Sequence, residues 1–483
     1  MGSPEPIDAD IVVVGAGAAG LYAALVAADR GARVAVVSAT PLAQTASYWA
    51  QGGLAAALAV DDSPALHLDD TERAGRGLVR ISAAEVLTTE APGIIADLQR
   101  RRMRFDADRH GNLVLGLEGG HSRRRIVHAG GSATGRRLAR QLSAAIVREE
   151  SVTVLEGARA CRLWLDGDRV AGVICEDGRP VAASATIIAT GGAAAMWSRT
   201  SNPPGSAGIG IMLARQAGAA VADLEFVQFH PTALAGVPGR EGFLVTEAIR
   251  GEGGLLLDAG GERFVDELAP RDEVARAVWE RMREEGSASV SLDMRSIDPA
   301  LFPNVVETLQ ASGIDPSRDL VPVAPAAHYM MGGIVTDLNG WTGVPGLYAI
   351  GESACTGLHG ANRLASNSLS ECMVFGARAA VAAAARPAAA PEAPAPAPEP
   401  ILMPDSGTRE AVWRDAGIVR DREGLERLLE DPHPLARMIA ACALARRESR
   451  GAHLRSDFPD TDSELDGRHT VITRSEPELQ GWE

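Results

Sequence analysis

The chain has 483 residues, of which 46% are hydrophobic and 4% aromatic, and its formal net charge at pH 7 is -16. This length predicts two to four domains of about 150 residues each, and the acidic charge argues against nonspecific nucleic-acid binding, which needs a basic surface. All 47 basic residues are arginines, which excludes Schiff-base chemistry at a lysine and leaves carboxylate recognition to arginine and histidine.

The five cysteines, Cys161, Cys175, Cys355, Cys372 and Cys442, form no CxxC pair, so no metal site is predicted. An odd number of cysteines in a long chain is typical of reduced thiols in the cytoplasm. The N-terminus has no signal-peptide pattern, and no apolar run approaches the ~20 residues that a membrane-spanning helix needs. The sequence therefore predicts a soluble cytoplasmic protein without a membrane or nucleic-acid partner.

The first predicted elements are a strand at 11–14, a glycine-rich turn at 15–20 and a helix from Leu21 to about Arg30. In such a turn the first glycine allows the tight bend, the second lets the backbone approach a pyrophosphate, and the third permits close helix–strand packing. The helix N-terminus then points free N–H groups at the phosphates. The predicted dinucleotide contacts are Gly15, Ala16, Gly17, Ala18, Ala19 and Gly20.

The next strand, at 33–37, ends at Ser38, where a dinucleotide fold often places an acid for the ribose hydroxyls. A polar, glycine-rich segment follows at 45–53, and residues 105–135 are irregular and charged. Hydrophobic periodicity predicts the remaining elements of the first half of the chain. They are helices at 82–104 and 134–149 and strands at 152–156, 161–165 and 169–175.

Two further strands end in glycine turns, at 186–192 and 346–352, more than 150 residues from the first turn. A nicotinamide domain normally completes its site in one compact unit, so three scattered strand-and-glycine pieces indicate a flavin-binding fold instead. The densest polar cluster lies in the stretch inserted between the last two pieces. Its members are Gln228, His230, Thr246, Glu247, Arg250, Arg271 and His328.

Five longer motifs occur at 48–53, 228–232, 246–253, 268–272 and 359–369. On these motifs, and over nearly all of residues 8–460, the sequence resembles the L-aspartate oxidases, a family within the succinate dehydrogenase and fumarate reductase flavoprotein group. The resemblance implies oxidation of L-aspartate to iminoaspartate with FAD, and reoxidation by oxygen or fumarate. Iminoaspartate would feed quinolinate and NAD synthesis, with quinolinate synthase as an expected partner.

The resemblance also implies the architecture, which is α/β. A Rossmann-like FAD-binding domain carries an inserted α+β capping domain and is followed by a helical domain. The predicted boundaries are 1–223 and 330–386 for the FAD-binding domain, 224–329 for the capping domain, 387–400 for an Ala/Pro linker, 401–460 for the helical C-terminal domain and 461–483 for a polar tail with one short strand at 470–473.

By the same resemblance, four residues hold the two substrate carboxylates, namely His230, Thr246, His328 and Arg363. Arg271, linked to Glu247, matches the proton-transfer position of the family, and Gln228 is a further predicted catalytic residue. Because a guanidinium is effectively always protonated, Arg271 either passes a proton in concert with Glu247 or only stabilises charge. The alternative for Arg271 is a surface residue at a helix start.

Glu118, in the motif Glu-Gly-Gly-His-Ser, matches the aspartate oxidases, because a substrate ammonium group calls for a carboxylate partner. The alternative is a solvated glutamate facing the arginines at 123–125. The remaining FAD contacts implied by the resemblance are Ser38, Ala46, Ser47, Tyr48, Trp49, Ala50, Gln51, Gly52, Gly53, Glu352, Ser368 and Leu369. Ala46 stands where succinate dehydrogenases carry a flavin-linking histidine, which predicts noncovalent FAD.

Two departures from the family pattern, Ala39 and Ile209, predict a weaker hold on the flavin. Ile209 replaces a charged hydrogen-bonding residue, a loss of about 1.5–3 kcal/mol. Two alternative functions remain open from the sequence. One is a soluble fumarate reductase or succinate oxidase with the same carboxylate contacts, and the other is a flavin-binding module without turnover.

Overall fold

The chain is described by a computed structural model that covers residues 6–42, 44–386, 391–393, 396 and 402–482, so most of the predicted linker at 387–400 lies outside the described residues. Its strands are β1 Ile7–Val14, β2 Val34–Ser38, β3 Leu54–Ala55, β4 Leu115–Gly116, β5 Ile126–Val127, β6 Val152–Glu156, β7 Ala160–Asp166, β8 Arg169–Cys175, β9 Pro180–Ile188, β10 Val221–Ala222, β11 Val227–Leu234, β12 Leu255–Leu257, β13 Val290–Asp293, β14 Val321–Met330, β15 Gly333–Val335, β16 Leu347–Ala349, β17 Ala354–Cys355, β18 Val419–Arg420, β19 Leu454–Arg455, β20 Arg468–Ile472 and β21 Pro477–Gly481.

The α-helices are α1 Ala18–Ala28, α2 Pro64–Ala74, α3 Ile81–Arg100, α4 Thr134–Ile146, α5 Ile209–Gln216, α6 Glu247–Gly251, α7 Arg271–Glu285, α8 Pro303–Ala311, α9 Asn367–Ala384, α10 Ser406–Asp415, α11 Arg422–Leu428 and α12 Pro434–Ala445. Short 3-10 helices occur at Ala46–Trp49, Gly131–Ala133, Ala194–Met196, Pro299–Leu301, Gly351–Ser353 and Ser463–Leu465. Within the described part of the chain, every helix is too short or too polar to cross a membrane.

The largest sheet joins the three strand-and-glycine pieces of the sequence. Its order is β6-β2-β1-β9-β8-β7, and β16 pairs with β9 beside β8. β1 lies parallel to β2 and to β9, with Val12 opposite Ala35 on one side and Thr186 on the other. Residues 11–14 are buried and apolar without alternation, as is typical of a central parallel strand covered on both faces. α1 packs against α4 and α9.

A capping unit, formed by β11–β14 and α6–α8, is inserted after β10. Its four strands form a separate antiparallel sheet in the order β11-β14-β13-β12, and α7 packs against β11 and β14. All eight residues of β11 are buried. Because β11 and β14 pair with His230 opposite Ala326, the two strands bring distant polar residues of the sequence together.

The C-terminal region differs from the prediction in its tail. Residues 406–445 form α10–α12, as the helical periodicity indicated, but the tail contains two strands, β20 and β21, rather than one. β20 pairs with β10, with Val221 opposite Ile472, so the tail extends the sheet β17-β15-β10-β20-β21. The second strand was missed because it lies at the sheet edge, where three of its residues are half-buried and two exposed, which leaves little hydrophobic alternation.

Two smaller differences concern helices in the first half of the chain. α1 begins at Ala18, three residues before the predicted start, because Gly17 takes an extended conformation and serves as its N-cap. α2 was not predicted. It begins with Pro64 after Ser63, whose hydroxyl accepts a hydrogen bond from the Leu66 amide, which is a standard N-terminal capping arrangement.

Candidate active site

The glycine turn after β1 requires glycine at two of its positions, 15 and 20. Gly15 has a φ of +113°, and a Cβ placed on it would lie 2.2 Å from the Ala189 carbonyl oxygen. A Cβ on Gly20 would lie 2.0 Å from the Gly15 carbonyl oxygen. The turn therefore lets β1, β9 and α1 approach closely, and it aims the α1 N-terminus at the space where a pyrophosphate would bind. The predicted contacts at 15–20 fit FAD.

The segment at 45–53 runs from this turn to the capping unit and to α9. Ser47 Oγ accepts a hydrogen bond from the Ala18 amide at the α1 N-terminus (3.0 Å). Gln51 Nε2 donates to the Leu244 carbonyl oxygen of the capping unit (2.9 Å), and the Gly53 amide donates to Ser366 Oγ (3.0 Å).

The other residues of the segment lie at its surface or in contact with α4. Ala46, Tyr48 and Trp49 form a 3-10 helix in which the Trp49 side chain is 57% exposed. Ala50 accepts a backbone hydrogen bond from Gly135. Gly52 lies against Ser366, because a Cβ placed on it would be 3.1 Å from Ser366 Oγ.

The remaining predicted FAD contacts lie at the ends of strands and at the start of α9, where Ser38 and Leu369 are buried and Glu352 and Ser368 half-buried. Ser38 Oγ donates to the Thr40 carbonyl oxygen (2.6 Å). Glu352 Oε1 accepts a bond from the Met330 amide (2.9 Å), and burial raises the pKa of Glu352 to about 7. Ser368 and Leu369 lie in the first turn of α9. Of the two departures, Ile209 begins α5 and packs against the main core cluster.

His230 and His328 lie face to edge on the paired strands β11 and β14, with ring centroids 5.3 Å apart. Burial, followed by the charges of Arg271, Arg250 and Arg363, holds the pKa of His230 well below its usual value. Burial and the neighbouring His230 and Arg363 do the same for His328. Both rings are therefore neutral at pH 7.

Gln228 joins the two arginines that the sequence placed at the substrate. Its Oε1 accepts hydrogen bonds from Arg271 Nη1 and from Arg363 Nη2, both at 3.1 Å. Its Nε2 donates to Asn362 Oδ1 and to the Arg363 carbonyl oxygen, both at 2.9 Å. Arg363 also donates to Ser368 Oγ (2.6 Å). Burial, reinforced by Arg271, lowers the pKa of Arg363 to about 10, so the guanidinium is still charged at pH 7.

Glu247 pairs with Arg271 and is held from its other side by the loop that carries Glu118. Arg271 Nε donates to Glu247 Oε2 (2.5 Å), and the Gly119 amide donates to Glu247 Oε1 (3.0 Å). Burial raises the pKa of Glu247, but Arg271 and Arg250 outweigh it and lower the pKa to about 2. The Thr246 hydroxyl, next in sequence, accepts the capping bond from the Ala248 amide (3.4 Å).

Arg271 is not the surface residue of the alternative interpretation. Its side chain is 11% exposed and pairs with Glu247 and Gln228, even though it is the first residue of α7.

Glu118 points at the start of α9 rather than at the arginines of its own loop. Its Oε2 accepts a hydrogen bond from Ser366 Oγ (2.6 Å), and a Cβ on Gly52 would lie 3.7 Å from its Oε1. Arg125 faces away, because its guanidinium is buried and paired with Asp62 (2.8 Å) and Asp70 (2.6 Å). Glu118 also acts electrostatically on Arg363.

Three residues that the sequence did not single out complete the site. Ser366 has a φ of +60°, a strained conformation that tends to occur at functional sites. Asn362 joins Gln228 to the start of α7. Ser201 Oγ lies 2.9 Å from His328 Nδ1. Ser366 and Asn362 lie within the motif at 359–369, but only the contacts distinguish them from their neighbours. No sequence signal marks Ser201.

Comparison with protein families agrees with this geometry. The FAD binding domain family matches residues 10–369, and the family described as fumarate reductase flavoprotein C-term matches residues 428–481. The second match includes β20 and all of β21. The tail therefore continues the C-terminal family region rather than forming a separate extension.

Curated relatives are similar over nearly their whole length. An L-aspartate oxidase of Agrobacterium fabrum is 46% identical, with 94% of this chain and 92% of the relative covered. One from Caulobacter vibrioides is also 46% identical, with 93% and 94% covered. Relatives from Streptomyces coelicolor and Mycobacterium leprae, at 43% and 42% identity, carry the same name.

Solved structures with the same fold are flavoproteins of the wider group. An E. coli quinol fumarate reductase FrdA mutant superimposes with a TM-score of 0.88 at 27% identity, covering 99% of this chain and 97% of the other. Mycobacterium smegmatis Sdh1 gives 0.84 at 30% identity, with 99% and 95% covered. These matches confirm the predicted fold class, the FAD cofactor and an FAD-dependent enzyme. The chain belongs to the L-aspartate oxidase family of FAD-binding flavoproteins.

Proposed function

We propose that this chain oxidises L-aspartate to iminoaspartate, with oxygen or fumarate as the final electron acceptor. The observation that carries the proposal is Glu118, a carboxylate beside Gly52 and Ser366 and within electrostatic reach of Arg363. FAD, when bound, supplies the acceptor for the hydrogen and the two electrons that leave Cα. The side chains bind the substrate, orient it and balance its charge.

The charge of the site suits an amino dicarboxylate. Arg250, Arg271 and Arg363 contribute three positive charges and Glu247 one negative charge, which leaves +2, and Glu118 reduces this to +1. L-aspartate at pH 7 has a net charge of -1, because its ammonium offsets one carboxylate, whereas succinate and fumarate have a charge of -2. Uncompensated charge is costly in a buried site, so Glu118 favours aspartate.

The two neutral histidines are hydrogen-bond donors for the carboxylates. The Thr232 amide donates to His230 Nδ1 (3.3 Å), so Nδ1 is the acceptor and the ring hydrogen is on Nε2. The Ser201 hydroxyl can donate to His328 Nδ1 in the same way. Nε2 of each ring then donates to a substrate oxygen. The Thr246 hydroxyl accepts its capping bond and still has a hydrogen to donate.

We propose that Arg271 stabilises charge rather than giving up a proton. Two of its five donors are used on Glu247 and Gln228, and the others are left for a substrate carboxylate. With a pKa near 2, Glu247 is too weak a base to take a proton from a guanidinium. The buried pair instead keeps Arg271 charged and correctly aimed before substrate arrives.

An anaerobic titration tests the function. L-aspartate is added to the FAD-loaded chain without oxygen, and the flavin absorbance near its visible maximum is followed; succinate is added to a matched sample. Bleaching by aspartate and not by succinate is expected. Bleaching by succinate alone would support a soluble fumarate reductase or succinate oxidase, and no bleaching by either would support a flavin-binding module without turnover.

We also propose that FAD is held noncovalently. The side chain at the linking position, Ala46, is a methyl group that cannot form a bond to the flavin. Denaturing the loaded chain and filtering it should release all the yellow colour. Flavin absorbance retained with the denatured polypeptide would contradict this.

We further propose that the iminoaspartate is consumed by quinolinate synthase in the cytoplasm, as a step in NAD synthesis. An imine hydrolyses in water, so a reaction that uses it must follow quickly. All five cysteines are free thiols, which suits a reducing compartment. Mixing the two enzymes should give more quinolinate than holding them on opposite sides of a dialysis membrane, whereas equal yields would argue against direct use of the imine.

A further inference from the structure

Arg76 is a residue of the FAD-binding part that no proposed catalytic step uses. It lies between α2 and α3 with glycines on both sides, and its φ is +57°. A side chain other than glycine rarely takes this conformation and keeps it only where surrounding contacts impose it.

Those contacts reach across to the capping unit. Arg76 Nη2 pairs with Asp272 Oδ2 (3.1 Å) and with Glu273 Oε1 (2.6 Å). These two acids follow Arg271 directly and lie in the first turn of α7. The Asp272 side chain is 7% exposed, against 54% for Glu273, so the bond to Asp272 is the better shielded from solvent and salt.

Asp272 is connected on its other side to the substrate arginines. Its Oδ1 accepts a hydrogen bond from Asn362 Nδ2 (3.1 Å), and Asn362 Oδ1 accepts one from Gln228 Nε2 (2.9 Å). Gln228 in turn accepts from Arg271. Both oxygens of Asp272 are therefore held, one by Arg76 and one by the chain of bonds that ends at Arg271.

The C-terminal region contacts the backbone of Arg76. Arg450 Nη1 donates to the Arg76 carbonyl oxygen (2.7 Å), and Arg450 Nε pairs with Glu448 Oε1 (2.9 Å). The loop that carries Arg76 is thus fixed to a buried part of the molecule.

We infer that Arg76 is a positioning residue that holds the first turn of α7 against the FAD-binding part and thereby aims the Arg271 guanidinium. The inference rests on the proposed function only where it concerns turnover. Arg76 touches neither substrate nor cofactor and acts through Asp272.

The test is Arg76→Gly, which removes the guanidinium and suits the positive φ, so the fold is retained. We expect kcat for aspartate oxidation to fall about tenfold, with a smaller change in KM, because misplacing a charge-stabilising group affects the transition state most. Arg76→Lys should recover part of the loss. The control is Arg276→Ala on the same helix, which removes an exposed pair with Glu280 and should leave kcat unchanged.

The dependence of kcat on ionic strength distinguishes a positioning role of Arg76 from a purely structural one. The Arg76 side chain is 33% exposed, so raising the ionic strength should weaken its pair with the exposed Glu273 more than its shielded pair with Asp272, and lower kcat of the unmodified chain at saturating aspartate part of the way towards the value of Arg76→Gly. The kcat of Arg76→Gly itself should not change with salt. Equal salt responses of the two proteins would overturn the inference.

Hydrogen exchange of the whole FAD-loaded chain separates this inference from the proposed function. Amides at 274–278 in α7 should exchange faster in Arg76→Gly than in the unmodified chain, whether or not aspartate is oxidised. Unchanged exchange together with unchanged kcat would overturn the role of Arg76. Absence of aspartate oxidation by the unmodified chain would instead contradict the proposed function.

Discussion

Two clusters of buried arginines differ in how their charge is balanced. In the C-terminal cluster of Arg446, Arg450, Glu225 and Glu448, two guanidinium groups face two carboxylates, while the neighbouring buried Arg420 bonds to the Gly417 and Glu225 carbonyl oxygens and to His453. Arg446 pairs with Glu225 (2.7 Å) and Glu448 (2.9 Å), and all three side chains are fully buried. The active-site cluster contains Arg250, Arg271 and Arg363 against two carboxylates, Glu247 and Glu118, so one positive charge is left over.

The difference in charge balance supports a ligand site at the active-site cluster. Within the described residues, Nε and Nη2 of Arg250 have no hydrogen-bond partner, and Arg363 lies over the Tyr329 ring at 4.4 Å rather than against an acid. A folded protein tolerates excess buried charge of this kind when a ligand of opposite charge completes it. We therefore propose that the balanced cluster is structural and that the unbalanced cluster binds the substrate. Four predictions test this distinction.

The largest expected effect is on activity in the unbalanced cluster. Arg271→Leu should lower both aspartate oxidation and fumarate reduction by about 10³-fold or more, because a preorganised charge at the reacting carboxylate is lost. FAD should remain bound, as measured by its absorbance after gel filtration. Loss of FAD together with activity would mean that Arg271 supports the flavin site instead.

A substitution in the balanced cluster should lower the stability of the fold rather than the rate of turnover. Arg446→Leu leaves Glu225 buried without its ion-pair partner, while Glu448 keeps Arg450, so the free energy of unfolding should fall by about 3–5 kcal/mol, measured by denaturant titration. The exposed neighbour is the control, since Arg447→Leu should change stability by less than about 0.5 kcal/mol. If folded Arg446→Leu lost as much kcat as Arg271→Leu does, the distinction between the two clusters would be wrong.

Glu118→Gln should change selectivity by raising the charge of the site from +1 to +2. Aspartate oxidation should fall about 10–100-fold, since a buried ammonium loses its carboxylate partner, while fumarate reduction stays within about threefold. Steady-state kcat/KM with each substrate measures this. Equal losses on both substrates would show that Glu118 does not bind the amino group.

The smallest expected effect is on the way in which the free energy of unfolding depends on pH. The pKa values of His230 and His328 are held well below their usual range, so below pH ~6.5 the unfolded chain binds protons that the folded chain does not. Stability should therefore fall as pH drops below ~6.5, by at most ~1.4 kcal/mol per pH unit for each histidine. His230→Gln should reduce this slope in unfolding titrations between pH 5 and 6.5, and an unchanged slope would contradict a neutral, buried His230.

Much of the fold could be predicted because it depends on local patterns. The central strand at 11–14 is a continuous apolar run, and Gly15 and Gly20 stand where a Cβ would collide with backbone. The edge strand at 477–481 and helix α2 were missed because they bury little apolar surface, so periodicity is weak there.

The site could be predicted only as a set of residues. Motifs marked His230, Glu247, Arg271 and Arg363, but their roles depend on partners that are distant in sequence. The charge state of each histidine, for example, follows from burial and from the number of arginines around it. The alternative for Glu118, a solvated glutamate facing the arginines at 123–125, could not be tested from the sequence, because its bond to Ser366 joins residues 248 positions apart.

By itself the sequence determined the family, the cofactor class and the residue types that meet a dicarboxylate, since these follow from motifs and from spacing along the chain. Only the tertiary structure decided how charge is distributed, because electrostatic interaction depends on distance and burial rather than on sequence order. It balanced Arg446 with two acids and left the active-site arginines in excess. It also brought Arg76 against Asp272, an ion pair across 196 positions that no local pattern encodes.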